Sequence, residues 1–178
     1  MSRPTVYLVR HGKKPMHGGT GLSADGVKRA QCLRHVVGAD SEYEIDYIVA
    51  QRPRASMQHE AQKRQNACGS YNQGVDGRRA RPYETMIPLA SDLGLSVDTS
   101  CKRNEYKYVK NIVDRYNRTG NILICWEYRR MTHTVEELGS KDAPNYPHDR
   151  FDIIWTDPSP YHEITSIYSE NCPAWIRS

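Results

Sequence analysis

The chain is poor in phenylalanine and in long apolar runs. One of its 178 residues is Phe against 12 Tyr, so most of its aromatic surface comes with a polar tip. No stretch approaches the roughly 18 consecutive apolar residues that cross a bilayer as a helix, and no membrane partner is expected. The opening Met1-Ser2-Arg3-Pro4 runs directly into Thr5-Val6-Tyr7-Leu8-Val9, which is too short for a secretory signal. Cysteine is sparse and unpatterned. Cys32, Cys68, Cys101, Cys125 and Cys172 are odd in number and never spaced as C-x-x-C, so neither a zinc site nor a disulfide scaffold is indicated. The expectation is a cytoplasmic protein with free thiols, a Cys101–Cys172 bridge being left open. Internal repeats and low-complexity tracts are absent.

What is present fits one domain spanning residues 1–178, since domains commonly run about 100–200 residues. A hydrophobic content of 38% arranged in regular clusters separates it from chains that cannot bury a core. The net charge of +4 is unevenly placed. Residues 52–81 carry Arg52, Arg54, Lys63, Arg64, Arg78, Arg79 and Arg81 against Glu60 and Asp76, while residues 140–178 lean acidic. One basic segment on a near-neutral body points to a small anionic partner; nucleic acid demands a broader positive face and is not expected. Oligomeric state is not legible.

Thr5 to Val9 reads as a buried strand whose carboxyl end delivers Arg10 and His11. Ser23 can cap a helix over Ala24 to Val37, with Val27, Ala30, Leu33 and Val37 at helical spacing and Gly38 as its stop. Ile45 to Ala50 is a second strand. From about 51 to 80 periodicity gives way to Gln, Asn, Gly and Arg, a long basic insertion that is either a lid or an unstructured excursion. Pro82 to Leu93 is helical, with Pro88 arguing for a kink and Gly94 ending it. Leu95 to Asp98 is a short strand, Tyr106 to Tyr116 a helix, and Asn121 to Trp126 a strand apolar on both faces. Met131, Val135 and Leu138 mark a further helix ending at Gly139; Phe151 to Trp155 and Tyr161 to Tyr168 read as the last two strands. Alternation of this kind predicts a three-layer α/β/α fold with a mostly parallel central sheet, whose ligands sit beyond the carboxyl ends of the strands.

The strand end Arg10-His11-Gly12 is the sharpest motif. It is followed in order by Leu22-Ser23-Ala24-Asp25-Gly26, Arg29-Ala30-Gln31, Asp46-Tyr47-Ile48-Val49-Ala50 and Arg81-Pro82-Tyr83-Glu84-Thr85. On these residues the chain resembles the histidine phosphatase superfamily, the phosphoglycerate-mutase-like proteins. Phrases such as Asn121 to Glu127 and Trp155-Thr156-Asp157-Pro158 look closest to small fungal members. The resemblance implies a phosphohydrolase acting on a small phosphomonoester, in which His11 forms a phosphohistidine while Arg10 and Arg81 clamp the phosphoryl oxygens, with no metal or other cofactor. The residue chemistry agrees: an imidazole keeps a lone pair near neutral pH, and the guanidinium fork suits the spread charge of a transferring phosphoryl group.

The chain departs from the family where a second histidine follows the last core strand. Here stand Glu127 and Tyr128, with Tyr128 aligned to that histidine and Glu127 next by counting. A tyrosine hydroxyl donates a hydrogen bond without positive charge, so the implied activity is impaired. Glu105 is the candidate proton donor, against a helix-start dipole partner. Ser23, Arg52 and Glu127 join Arg10 and Arg81 as candidate substrate-binding residues. Tyr83, Tyr106, Tyr108 and Tyr128 either line a pocket for an aromatic or polyketide-like molecule or pack half-buried on the surface. Two alternatives accompany the phosphatase reading. One is a repurposed lyase, isomerase or cyclase acting on an unphosphorylated metabolite, and the other an inactive anion-binding pseudoenzyme.

Overall fold

In the computed structural model, which describes residues 3–54 and 79–172, the strands are β1 (Val6–Arg10), β2 (Ile45–Ala50), β3 (Val97–Asp98), β4 (Asn121–Trp126), β5 (Ile153–Asp157) and β6 (Ser166–Ser169). The helices are α1 (Ala24–Val36), α2 (Arg81–Leu93), α3 (Tyr106–Arg115) and α4 (Tyr128–Leu138). One mixed sheet runs in the order β3-β2-β4-β1-β5-β6. β3, β2, β4 and β1 are mutually parallel, whereas β5 and β6 pair antiparallel at the β1 side. This is the expected three-layer α/β/α arrangement. Most of the basic insertion, residues 55–78, lies outside the described residues.

Period-two alternation on the central strands divides the core. Ile122, Ile124 and Trp126 of β4 face a cluster with Val6, Leu8 and Trp155, closed by Val109 and Val113 of α3 and Met131, Val135 and Leu138 of α4. Leu123 and Cys125 face the other way, with Val9, Ile48 and Ala50, against Leu33 of α1 and Met86, Leu89 and Ala90 of α2. Both faces of β4 are covered, which is why it reads as a continuous apolar run. The register sets Arg10 beside Trp126 and Ala50 beside Cys125. The segments leaving β1, β2 and β4 therefore emerge together at one edge of the sheet.

Several expectations are corrected. α1 leaves Val27 48% exposed and buries Gly26, Arg29, Ala30, Cys32 and Leu33; a distant carboxylate draws the arginine inside, which periodicity cannot register. Pro88 sits within α2 without ending it, and Gly94 stops the helix in a left-handed conformation at φ 65°. The third strand contracts to Val97–Asp98. Phe151 and Asp152 precede β5, and the last strand is Ser166–Ser169 rather than Tyr161 to Tyr168. Pro158 and Pro160 cannot donate to a ladder, and Tyr161 is instead buried, its hydroxyl donating to the Pro4 carbonyl at 2.8 Å. The cysteines do not all stay as thiols: Cys32 of α1 is bonded to Cys172 across 140 positions, and Cys101, the partner considered in sequence, is a buried free thiol like Cys125.

Asp157 ends β5 with its side chain fully buried and neither carboxylate oxygen hydrogen-bonded among the described residues. Burial pushes its pKa up to about 7. An acid whose folded-state pKa is raised binds protons more tightly when folded, so its contribution to stability declines as pH rises from about 4 to about 7. Asp157→Asn should therefore gain melting temperature relative to the parent between pH 5 and pH 8 in calorimetry; a constant difference across that range would contradict this account.

Candidate active site

β1 hands over to a tight turn at the carboxyl edge. The His11 amide donates to the Trp126 carbonyl at 3.2 Å, extending the β1–β4 ladder one residue beyond the strands. The Gly12 amide donates to the Thr85 hydroxyl at 2.9 Å, and that hydroxyl donates to the Arg81 carbonyl one helical turn back at 2.6 Å. The first turn of α2, with Arg81, is thereby pinned beside His11. A Cβ on Gly12 would lie 2.8 Å from a Leu22 methyl and 3.0 Å from the Gly26 carbonyl oxygen, so glycine is what lets the turn pass close against the start of α1.

The His11 ring is buried, and its Nδ1 lies 2.8 Å from the Gly12 carbonyl oxygen. A carbonyl can only accept, so Nδ1 carries the proton and Nε2 the lone pair. Burial above all holds the imidazole pKa down at about 4; the Gly12 carbonyl opposes it, and the guanidinium groups of Arg81, Arg10 and Arg29 add to the lowering. The ring is thus neutral and carries an in-plane lone pair at physiological pH.

Arg10 is almost wholly buried. Its Nη1 donates to the carbonyls of His148 at 2.7 Å and Arg150 at 2.6 Å, with that of Pro147 at 3.5 Å. Its Cζ lies 3.5 Å from the Phe151 ring centre and 4.1 Å from that of Tyr128. Burial lowers its pKa to about 10, partly offset by Tyr146 and Tyr128, and it stays cationic. The Nε atoms of both Arg10 and Arg81 are buried without a hydrogen-bond partner among the described residues.

The second-histidine position opens α4. Tyr128 does stand at the site, but it offers its ring face to Arg10 while its hydroxyl accepts from Arg129 Nε at 2.9 Å. Glu127 is 2.6 Å from Arg103 Nε, so its charge is neutralised by a residue that sequence reasoning missed. Ser23 is the N-cap of α1, accepting from the Gly26 amide at 3.1 Å. Arg52 donates from Nε to the Thr99 carbonyl at 3.0 Å and from Nη2 to that of Ser100, tying the end of β2 to the segment after β3. The Glu105 carboxylate accepts from the Lys102 amide at 2.8 Å in the turn before α3 and is 41% exposed, making no side-chain cap to the helix. Of the tyrosine set only Tyr128 contacts Arg10. Tyr83 packs against the α1–α2 core, Tyr106 lies by His133, and Tyr108 lines a separate groove of about 390 Å³ with Tyr47 and Tyr116.

Thr85, Arg29 and residues 146–151 are what the sequence reading missed. Thr85 was visible as the end of the Arg81–Thr85 motif. Arg29 was visible as the head of Arg29-Ala30-Gln31, but nothing local pointed to its partners: its Nη1 donates to the Arg10 carbonyl, and its Nε and Nη2 grip the carboxylate of Glu170. A cavity of about 250 Å³ begins beside the site at Lys13 and Phe151 and runs to Glu170 and Cys172; His11 is not in its lining. Among the described residues no group of three or more His, Cys, Asp or Glu is placed to hold a metal ion, and no helix is long and apolar enough to cross a membrane.

No protein-family model and no curated protein matches the chain. Solved structures do share its fold. A candidate phosphohistidine phosphatase, SixA, of Agrobacterium tumefaciens aligns with a TM-score of 0.58 at 13% identity, over 94% of this chain and 98% of that one. A candidate α-ribazole-5′-phosphate phosphatase of Escherichia coli aligns at 0.51 and 15% identity over 96% and 98%. A mycobacterial glucosyl-3-phosphoglycerate phosphatase in complex with inorganic phosphate aligns at 0.50 and 13% identity over 86% and 88%. The α/β fold of this chain is shared with these solved phosphatase structures.

The environment of His11 has a direct spectroscopic signature. In an NMR titration its ring should protonate with a midpoint near 4, well below the ordinary value of about 6.5; a midpoint above 6 would show the ring to be solvated and remote from the guanidinium groups.

Proposed function

We propose that the chain is a phosphohydrolase for small phosphomonoesters that works through a phosphohistidine at His11. The observation that carries this reading is the buried imidazole whose Nδ1 is held by the Gly12 carbonyl, leaving Nε2 as the lone-pair atom among three guanidinium groups. Nε2 attacks phosphorus in line; the P–N bond forms as the ester P–O bond breaks, and the leaving alkoxide takes a proton from water. Water then attacks the phosphohistidine, the P–N bond breaks, and inorganic phosphate departs. Arg10 and Arg81 stabilise the equatorial oxygens, and positioning supplies most of the catalysis. With the Glu105 carboxylate engaged by the Lys102 amide, no side chain is assigned as proton donor, so good leaving groups such as aryl oxides are favoured. The single domain over residues 1–178, with the basic segment at about 51–80 as an insertion, belongs to the same reading.

Tyr128 sets the expected rate. Its hydroxyl is engaged by Arg129, so the site lacks a cationic donor where the family carries one, and turnover is slow. The same feature, with Arg10 Nη1 committed to loop carbonyls, supports a second reading in which the pocket binds an anion without turning it over.

Release of phosphate from p-nitrophenyl phosphate separates the two. The first reading expects slow turnover that vanishes in His11→Ala and rises in Tyr128→His by about 10²-fold, the scale of one transition-state donor. Orthovanadate binding that requires His11, with no phosphate release from any ester, would select the second reading. Loss of neither binding nor turnover in His11→Ala would overturn both.

A further inference from the structure

The contacts behind His11 lead away from the sheet edge to the end of the described chain. Arg29, fully buried in α1, donates from Nη1 to the Arg10 carbonyl, the peptide that carries His11. Its two remaining donor groups are taken by Glu170, whose carboxylate is itself almost completely buried. Burial works against the charge of Arg29, and the facing carboxylate more than offsets it, so the guanidinium is held cationic. Two residues beyond Glu170, Cys172 is bonded to Cys32, one turn along α1 from Arg29.

Glu170 has little else to hold it. It leaves the end of β6, an edge strand whose residues are half-buried or exposed, and its amide donates to the Asp152 carbonyl at 2.6 Å. The disulfide is the covalent anchor that keeps this carboxylate against α1. The cavity of about 250 Å³ is lined by Lys13, Arg29, Phe151, Glu170 and Cys172 among others, which brings a space open to small molecules up to the Cys172 end of the disulfide, both cysteines being otherwise buried.

We infer that Glu170 is a positioning residue for the His11 site, acting through Arg29, and that the Cys32–Cys172 disulfide latches it, making anion binding at His11 dependent on thiol redox state. This rests on the reading of His11 as the group that meets phosphate. The unlatching chemistry is ordinary exchange with a dithiol. One thiolate of the reagent attacks Cys172 Sγ, forming a mixed disulfide and expelling the Cys32 thiolate. Its second thiol attacks the mixed disulfide and releases the Cys172 thiolate. Both cysteines end protonated, and the reagent leaves as its cyclic disulfide. Two electrons and two protons are transferred. With the latch open, Glu170 parts from Arg29, and Arg29 no longer holds the Arg10 peptide in place.

The test uses the full chain, oxidised and after treatment with dithiothreitol that is then removed under nitrogen. Thiol labelling of the unfolded samples should count two more thiols after reduction. Inorganic phosphate should bind the reduced form about tenfold more weakly, a typical coupling between linked sites, at a temperature well below melting. Hydrogen exchange of the peptide covering residues 8–12 should accelerate. The Cys32→Ser/Cys172→Ser variant should match the reduced form with or without dithiol. Glu170→Gln should weaken phosphate binding with its disulfide intact. Equal phosphate affinity and equal exchange in the two redox states would overturn the latch, as would a Glu170→Gln protein that loses melting temperature but keeps its phosphate affinity. If the oxidised protein binds no phosphate, the phosphatase reading fails; exchange at residues 8–12 then decides the latch by itself, unchanged exchange overturning it.

Discussion

The parallel pairing of β1 with β4 organises everything at the working edge of this protein. Because Arg10 lies opposite Trp126 and the His11 amide continues the ladder onto the Trp126 carbonyl, the chain leaving β1 and the chain leaving β4 start from the same level. Arg10 is therefore delivered against the Tyr128 ring rather than at an arbitrary point of a loop. Both strands are sealed on two faces by helices, which makes their register expensive to shift, since a slip of one residue would move every side chain into the opposite core.

Around that edge the protein concentrates buried positive charge. Arg10, Arg29 and Arg81 all act on the His11 ring, and among the described residues Arg29 is the one of the three with a carboxylate partner, Glu170. The other two are moderated in different ways: Arg10 by backbone carbonyls and aromatic faces, Arg81 by partial exposure at the first turn of α2. A guanidinium in a low-dielectric setting favours an anion, and the same field adds to burial, the larger cause, in keeping the imidazole unprotonated. In the proposed reading, anion affinity and the free lone pair of His11 share that electrostatic arrangement. What tempers it is Tyr128, a neutral ring where the resemblance implied a second histidine, packed on Arg10 instead of aimed past it.

Legibility in the sequence followed the range of the interaction. β4 was read to the residue, because an apolar run bounded by polar ends needs only local information. The Ser23 cap and the Gly94 stop were read for the same reason. Strand β6 was misplaced because Tyr161 and its neighbours have strand-like composition, while prolines at 158 and 160 divert the backbone into a turn that buries Tyr161 elsewhere. Of the candidate site residues, Arg10 packs on the Tyr128 ring and both Arg10 and Arg81 act on His11. Ser23, Arg52, Glu105 and Glu127, chosen by motif order or position, are engaged by the α1 cap, backbone carbonyls, the Lys102 amide and Arg103 respectively.

Taken alone, the amino-acid order settled most of the segments that become strands and helices, the last strand excepted, and that an arginine and a histidine stand at the end of the first strand, because periodicity, capping and glycine placement act over a few residues. Folding alone decided which partners those side chains take. Arg29 meets Glu170 across 141 positions and Cys32 meets Cys172 across 140, while the Arg10 Nη1 is claimed by a loop 138 and 140 positions away. Such pairings depend on where the sheet brings distant segments together, and the residues on either side of them carry no local trace of the partner.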